Sequence, residues 1–186
     1  MITISLCMIV KNEEDTLPRV LENMSGVADE IIIVDTGSTD KTKDIAGQYT
    51  SLIFDFPWNQ DFSAARNFAC SKATMDYWMW LDADDVITPE NKQKILDLKS
   101  TLDPSVDIVF MKYITGFDEN GRPSFTYNRE RLIKNGCGYL WQGRVHEVVV
   151  PSGELFYSQV EIEHRKISPG DPDRNLTIYE TMLKSG

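Results

Sequence analysis

Short apolar runs alternate with helical segments through the first half of the chain, and this alternation limits the fold more than any other feature. Thr3 to Val10 forms the first apolar run. Polar Lys11-Asn12-Glu13-Glu14 follows, after which Leu17, Val20, Leu21 and Met24 recur at helical spacing. Glu30 to Val34 repeats the apolar run. Asp35-Thr36-Gly37-Ser38-Thr39-Asp40 then supplies turn residues, and Lys41 to Tyr49 continues as a helix capped by Thr39 or Asp40. Ser51 to Phe54 makes a third strand, Phe62 to Ala73 an alanine-rich helix, and Tyr77 to Leu81 a fourth strand. Strands and helices in this order imply an α/β fold with a parallel sheet covered by helices. Ligands of such sheets bind outside the carboxyl ends of the strands, which points to Lys11, Asn12, Asp35 and Asp82.

The second half reads differently. Thr88 is an N-cap and Pro89 a first helical residue, for a helix that reaches about Leu98. Beyond it the pattern is β-rich: Ile108 to Thr115, a turn at Asp118-Glu119-Asn120-Gly121, a strand from Ser124 onward, Val145 to Val150, and Leu155 to Glu163. These strands are expected to extend the sheet in antiparallel fashion. Lys166 to Asn175, with Pro169, Gly170 and Pro172, reads as a loop, and Leu176, Tyr179, Met182 and Leu183 suit one amphipathic helix. The halt at Ser185-Gly186 reads as a truncation of a longer protein.

The tetrad Asp82-Ala83-Asp84-Asp85 closes the apolar run Tyr77-Trp78-Met79-Trp80-Leu81, so a strand delivers three carboxylates into one small volume. Oxygen ligands suit Mg²⁺ or Mn²⁺, which keep positions open for the oxygens of a substrate phosphate. A solvated acidic turn or a helix cap is the alternative. With 186 residues, 41% of them hydrophobic, the chain fits one soluble domain, and it has no apolar stretch of the ~18 residues that a membrane span needs. A net charge of −10 argues against nucleic acid as a partner, because neutralising phosphates takes clustered Lys and Arg. An anionic substrate needs local cations or a metal instead. Cys7, Cys70 and Cys137 are odd in number and unpaired in spacing, as reduced cytoplasmic thiols are. Met1-Ile2-Thr3-Ile4-Ser5 opens on a strand pattern without a basic leader, so export is not expected.

Four segments together resemble family 2 glycosyltransferases: Cys7-Met8-Ile9-Val10-Lys11-Asn12-Glu13-Glu14, Val34-Asp35-Thr36-Gly37-Ser38-Thr39-Asp40, Phe62-Ser63-Ala64-Ala65-Arg66-Asn67 and Leu81-Asp82-Ala83-Asp84-Asp85. The likeness spans roughly the first hundred residues and is nearest to bacterial members that glucosylate lipopolysaccharide core or peptides. It implies a GT-A fold, Rossmann-like, in one domain over 1–186. Residues 1–100 would be a nucleotide-sugar-binding half, 101–165 an acceptor half, and 166–186 a loop and C-terminal helix. It further implies a UDP-sugar donor, Mn²⁺ or Mg²⁺ as cofactor, inversion at the anomeric carbon, and a glycan, lipid-linked glycan or peptide acceptor, with peripheral membrane contact allowed. Val10, Asn12, Glu14, Asp35, Arg66, Asp82 and Ala83 would line the donor site. Asp35 would meet uracil or ribose, or merely cap its turn. Arg66 would reach the base or the diphosphate, or form a surface ion pair. Asp82 would meet ribose or a metal-held water, Asp84 would ligate the ion, and Asp85 would orient its neighbours.

A general base is also required, a carboxylate or histidine across the sugar from the leaving group. Many family members carry a Glu-Asp pair before an arginine at this stage. This chain has Gly143-Arg144-Val145-His146-Glu147 instead, which leaves Glu147 first and His146 second, on opposite faces of an expected strand. His164 either completes the metal shell or pairs with Glu161 or Glu163, and Tyr139 and Trp141 either stack on an acceptor sugar or fill the core. The Gln-x-x-Arg-Trp motif of processive synthases is missing, so transfer of one sugar per encounter is expected. Two rivals stand: a haloacid-dehalogenase-like phosphatase using Asp82, and a nucleotide-sugar-binding module without catalysis. No Gly-x-Gly-x-x-Gly follows the first strand, which speaks against a dinucleotide-binding dehydrogenase.

Overall fold

β1 (Ile4–Val10), β2 (Glu30–Asp35), β3 (Ile53–Asp55) and β4 (Tyr77–Trp80) run parallel in the order β3-β2-β1-β4 in the computed structural model of the protein, which describes residues 1–167 and 173–184. β1 is covered on both sides, hence its unbroken apolar run. Leu6, Met8 and Val10 join Met79 and Leu81 in one core, whereas Cys7 joins Ile32, Val34, Trp78 and Trp80 in the other. α1 (Leu17–Met24) is too short to persist alone. Its Leu17, Val20, Leu21 and Met24, spaced i, i+3, i+4 and i+7, are fully buried in the first core, each worth about 1.5–3 kcal/mol.

α4 (Pro89–Thr101) packs on the same side through Ile95 and Leu98. It starts at Thr88, whose Oγ1 accepts the Asn91 amide, and runs past the expected Leu98. α3 (Phe62–Cys70) covers the other side, is capped by Asp61 through the Ala64 amide, and stops short of Ala73. α2 (Thr42–Ala46) is shorter than the expected Lys41–Tyr49. Lys41 rather than Thr39 or Asp40 is its N-cap, without a side-chain cap bond; the Asp40 carboxylate accepts the Thr42 amide just inside it, while Thr39 donates its own amide to Asn12.

The sheet continues through β7 (Pro123–Lys134), β6 (Ile108–Phe117), β10 (Leu155–His164) and the two-residue β5 (Asp85–Val86), giving the order β3-β2-β1-β4-β7-β6-β10-β5. β7 lies antiparallel to β4 and β6, as expected, with the Asp118 to Gly121 turn closed by the Gly121 amide on the Asp118 carbonyl. β10 corrects the expectation, since it runs parallel to β6. β7 ends beside the start of β6, and β10 enters on the other side of β6 at that same end, with Leu155 opposite Ile108. In the intervening chain, β8 (Trp141–Gln142) pairs with β9 (Val148–Val149), and the expected strand from Val145 to Val150 shrinks to β9. Gly143 at φ 98° and His146 at φ 56° adopt left-handed backbone that no strand accommodates, so residues 143–147 form a bend. His146 and Glu147 therefore do not alternate across a strand.

α5 (Arg174–Lys184) buries Ile178 and sets Arg174 4.8 Å from the Phe62 ring. Pro169, Gly170 and Pro172 of the expected loop, and Ser185 and Gly186, lie outside the described residues. Among the described residues no helix is long and apolar enough to cross a membrane.

An irregularity between β6 and β7 sets the position of one buried arginine. Val109 faces Leu132 across the two strands, but Phe110 faces Glu130, so Arg131 is the extra residue of a β-bulge. The bulge turns Arg131 inward, where it is wholly buried. Its Nη1 donates to Asp85 Oδ2 at 2.9 Å and to the Trp80 carbonyl at 3.1 Å, and its guanidinium lies 3.7 Å from the Trp80 ring and 4.2 Å from that of Tyr113. Removing one partner of such a pair leaves a buried charge. Arg131→Met is expected to cost about 3–5 kcal/mol in urea denaturation at pH 7 with chelator present, against about 0.5 kcal/mol or less for Glu119→Ala on the exposed turn. Equal effects of the two substitutions would refute the assigned weight of the pair.

Candidate active site

The acidic tetrad folds into a tight turn at the end of β4. The Asp85 amide donates to the Asp82 carbonyl and the Asp82 amide to Asp85 Oδ2, both at 3.0 Å. β5 then pairs with the end of β10, setting His164 opposite Asp85. One ligand atom each from Asp82, Asp84, Asp85 and His164 consequently lie within 4.8 Å of one another. His164 Nδ1 is 3.2 Å from Asp84 Oδ1 and 3.3 Å from Asp85 Oδ1. It is not a surface partner of Glu161 or Glu163, which pair with Lys112 and Arg165. Asp85 accepts from Arg131, the Asp82 amide and Tyr113, which fits an orienting role. Carboxylates with one imidazole fit Mn²⁺ or Mg²⁺, and the nitrogen favours Mn²⁺ of the two. Burial disfavours a charged His164, but hydrogen bonds and charge from Asp84 and Asp85 outweigh it and raise its pKa to about 9.

Arg66 is buried, not a surface residue. Small Ala65 and Ala69 let α3 approach the sheet, and the guanidinium donates to Asp82 Oδ1 at 2.8 Å and Glu147 Oε1 at 2.7 Å. It lies 4.7 Å from the Trp80 ring and 5.0 Å from the Trp141 ring. Burial raises the Asp82 pKa, yet Arg66 and then Arg131 prevail and hold it below the ordinary carboxylate value. Trp141 fills the core against Trp80 and Trp78, with Asn67 bonded to both its amide and its carbonyl. Tyr139 donates to the Ser152 carbonyl. The bend thus brings Glu147 to Arg66, whereas His146 is exposed.

Asp35 ends β2, only 3% exposed. Its Oδ2 accepts the Gly37 and Ser38 amides, each at 3.0 Å, so the capping role holds for that oxygen. Its Oδ1 is buried without a hydrogen-bond partner among the described residues. The Val10 carbonyl accepts the Thr36 amide and hydroxyl. Asn12, at φ 55°, accepts the Thr39 amide, and Glu14 accepts that of Lys41. These three residues shape the loops around Asp35, with Val10 buried and Asn12 and Glu14 exposed. Ala83 is buried within the acidic turn.

Several neighbours went unmarked in the sequence. Glu13 is half-buried, and burial followed by the charges of Asp84 and Asp82 pushes its carboxyl up against a hydrogen bond from Thr16. Arg19 Nη2 donates to the Asp84 carbonyl, and Arg129 Nη2 to that of Glu147. Tyr113 touches both Asp85 and His164. No local pattern marks Tyr113 or Arg131, since a bulge and non-local pairing bring them in.

Comparison with known proteins agrees with this arrangement. A model of the family described as Glycosyl transferase family 2 matches residues 5–153. A TPR repeat-containing protein of Synechococcus elongatus is 37% identical over 150 residues, covering 80% of this chain and 36% of that protein. The SPbeta prophage-derived glycosyltransferase SunS of Bacillus subtilis is 29% identical over 201 residues, covering 98% of this chain and 45% of SunS. The chain therefore spans less than half the length of these curated relatives. Among solved structures, the glucosyl-3-phosphoglycerate synthase of Mycobacterium tuberculosis in complex with Mg²⁺ and UDP aligns with a TM-score of 0.50 at 22% identity, over 60% of this chain and 44% of that one. S. aureus TarS 1-349 in complex with UDP aligns with a TM-score of 0.53 at 23% identity, over 66% and 38%. The solved structures bear on the fold; the family match, which spans most of the sheet and the whole acidic turn, makes this chain a member of glycosyl transferase family 2.

Proposed function

We propose that the protein is an inverting, metal-dependent, non-processive glycosyltransferase, which moves a sugar from a UDP-sugar to a hydroxyl or thiol of a glycan, lipid-linked glycan or peptide. The observation that carries this reading is the cluster of Asp82, Asp84, Asp85 and His164 at the same sheet edge as Asp35, whose buried Oδ1 awaits a donor. Asp35 accepts from the uracil or ribose of the donor, within loops shaped by Val10, Asn12 and Glu14. Asp82 contacts the ribose beside Ala83, and Arg66 holds Asp82 in place. Asp84 and His164 would hold a divalent cation, which would supply the positive charge that a departing diphosphate requires. Glu147 takes the acceptor proton, with His146 as second choice; the ion pair to Arg66 keeps Glu147 beside the donor side of the site.

Residues 1–100 serve the donor and 101–165 the acceptor in this reading, within one domain. Cytoplasmic reaction fits three cysteines that form no disulfide. The phosphatase alternative loses its ground, since the tetrad follows the fourth strand of a family 2 chain.

Calorimetry with UDP tests the reading directly. UDP is expected to bind with Mn²⁺ and to weaken more than about 100-fold with chelator or in Asp84→Ala, because partners outside the ligand shell alone are worth about 10–100-fold. Nucleotide binding that ignores both would remove the metal from the mechanism, and no nucleotide binding at all would end the transferase claim. Binding without hydrolysis or transfer to any acceptor would favour the binding-module reading.

His164 makes metal binding depend on pH. Its pKa in the folded metal-free protein, about 9, exceeds its ordinary value of 6.5. Its contribution to stability is therefore complete below pH 6.5 and disappears as the pH rises through 9. Metal must displace the proton, so Mn²⁺ affinity is expected to rise about tenfold per pH unit over that interval, and the rise should vanish in His164→Gln. A flat profile in the wild type would exclude His164 as a ligand.

A further inference from the structure

Tyr113 lies behind the acidic cluster on β6, 5% exposed, with its hydroxyl 2.9 Å from Asp85 Oδ1 and 2.8 Å from His164 Nδ1. Asp85 is fixed from the other side, because its Oδ2 takes both Arg131 Nη1 and the Asp82 amide. A phenol has one proton, and a carboxylate only accepts. The hydroxyl therefore donates to Asp85 and turns a lone pair toward His164. Nδ1 faces three acceptors in all, the Tyr113 oxygen, Asp84 Oδ1 and Asp85 Oδ1, an environment that assigns a hydrogen to this nitrogen. The rings of Tyr113 and His164 also pack edge to face, with centroids 5.6 Å apart at 63°.

Tyr113 takes none of the donor, metal or base roles, yet through a single atom it contacts both the ring of His164 and the wholly buried carboxylate of Asp85. We infer that Tyr113 is a positioning residue of the metal centre: its hydroxyl ties the imidazole of His164 to the immobile Arg131–Asp85 pair, so that the ring meets a cation already oriented. This rests on the metal-dependent reading of the function. Ligating histidines are oriented by the hydrogen bond that their other ring N–H donates to a neighbour, and loss of such a partner lowers metal affinity about 10–100-fold.

Mn²⁺ titration of the whole chain in the presence of UDP, read by electron paramagnetic resonance, compares the wild type with Tyr113→Phe and Tyr77→Phe. Tyr77 offers a matched control, since its buried hydroxyl donates to the Val106 carbonyl at the opposite end of the sheet. Tyr113→Phe is expected to weaken Mn²⁺ about tenfold or more, and Tyr77→Phe by about twofold or less. Equal affinity in the wild type and Tyr113→Phe overturns the inference alone, as does an equal loss in both variants. No Mn²⁺ binding by the wild type overturns the metal reading itself. A second measurement does not depend on whether Tyr113→Phe folds. The chain has two histidines, so nitrogen-15 labelling with His164→Gln assigns the ring signals. The metal-free wild type should show a slowly exchanging imidazole N–H for His164, and its absence overturns the inference.

Discussion

Arg131 and Asp85 meet with no exposure to solvent on either side chain, one from β7 and the other from the turn after β4. Such a pair does not stabilise a fold simply by existing, because desolvating two charges offsets most of their attraction. Here Nε and Nη2 of Arg131 even lack hydrogen-bond partners among the described residues, although the faces of Trp80 and Tyr113 compensate part of that loss. Its consequence is geometric. Three carboxylates within four residues repel one another and would open the turn; the guanidinium under Asp85 holds it closed, with the Asp82 amide on the same carboxylate. The acidic cluster has its shape because of a cation that lies 46 residues further along the chain.

The first half was legible because its signals are local. Apolar runs buried on both faces give continuous strands, the spacing of Leu17 to Met24 gives a helix, and a carboxylate directly after a strand must stand at the ligand-binding edge of a parallel sheet. Asp35 and Asp82 came from that logic, Asp84 and Asp85 from the clustering of carboxylates after the same strand, and their separate roles from the family resemblance. Arg131 did not, since the bulge that turns it inward exists only through the pairing of β7 with β6. The bend at residues 143–147 misled for a related reason: Val145 to Val150 has strand composition, but Gly143 and His146 take backbone angles that break the period of two. The parallel pairing of β10 was equally hidden, because apolar alternation fixes which face is buried and not the direction of the neighbour.

The charges around the site divide along the same line. The turn itself is acidic, in a chain with a net charge of −10, and its counter-charges arrive from elsewhere: Arg66 from α3, Arg131 from β7 and His164 from β10. The strand segments after residue 101 thus shape the acidic turn, and in the proposed function they serve the donor site as well as the acceptor side. A fragment holding only the β3-β2-β1-β4 sheet would keep the carboxylates and lose the residues that orient them.

Arg66 carries this interdependence furthest. Its guanidinium faces Asp82 with one nitrogen and Glu147 with another, while stacked on Trp80 and Trp141. In a buried setting the attraction between such charges is stronger than in water, and each carboxylate feels what the other does to the shared cation. Any ligand that draws Asp82 away from Arg66 leaves more of the guanidinium's charge for Glu147, and any group that engages Glu147 returns it to Asp82. The two carboxylates belong to segments more than sixty residues apart, yet one buried cation makes their electrostatics a single system.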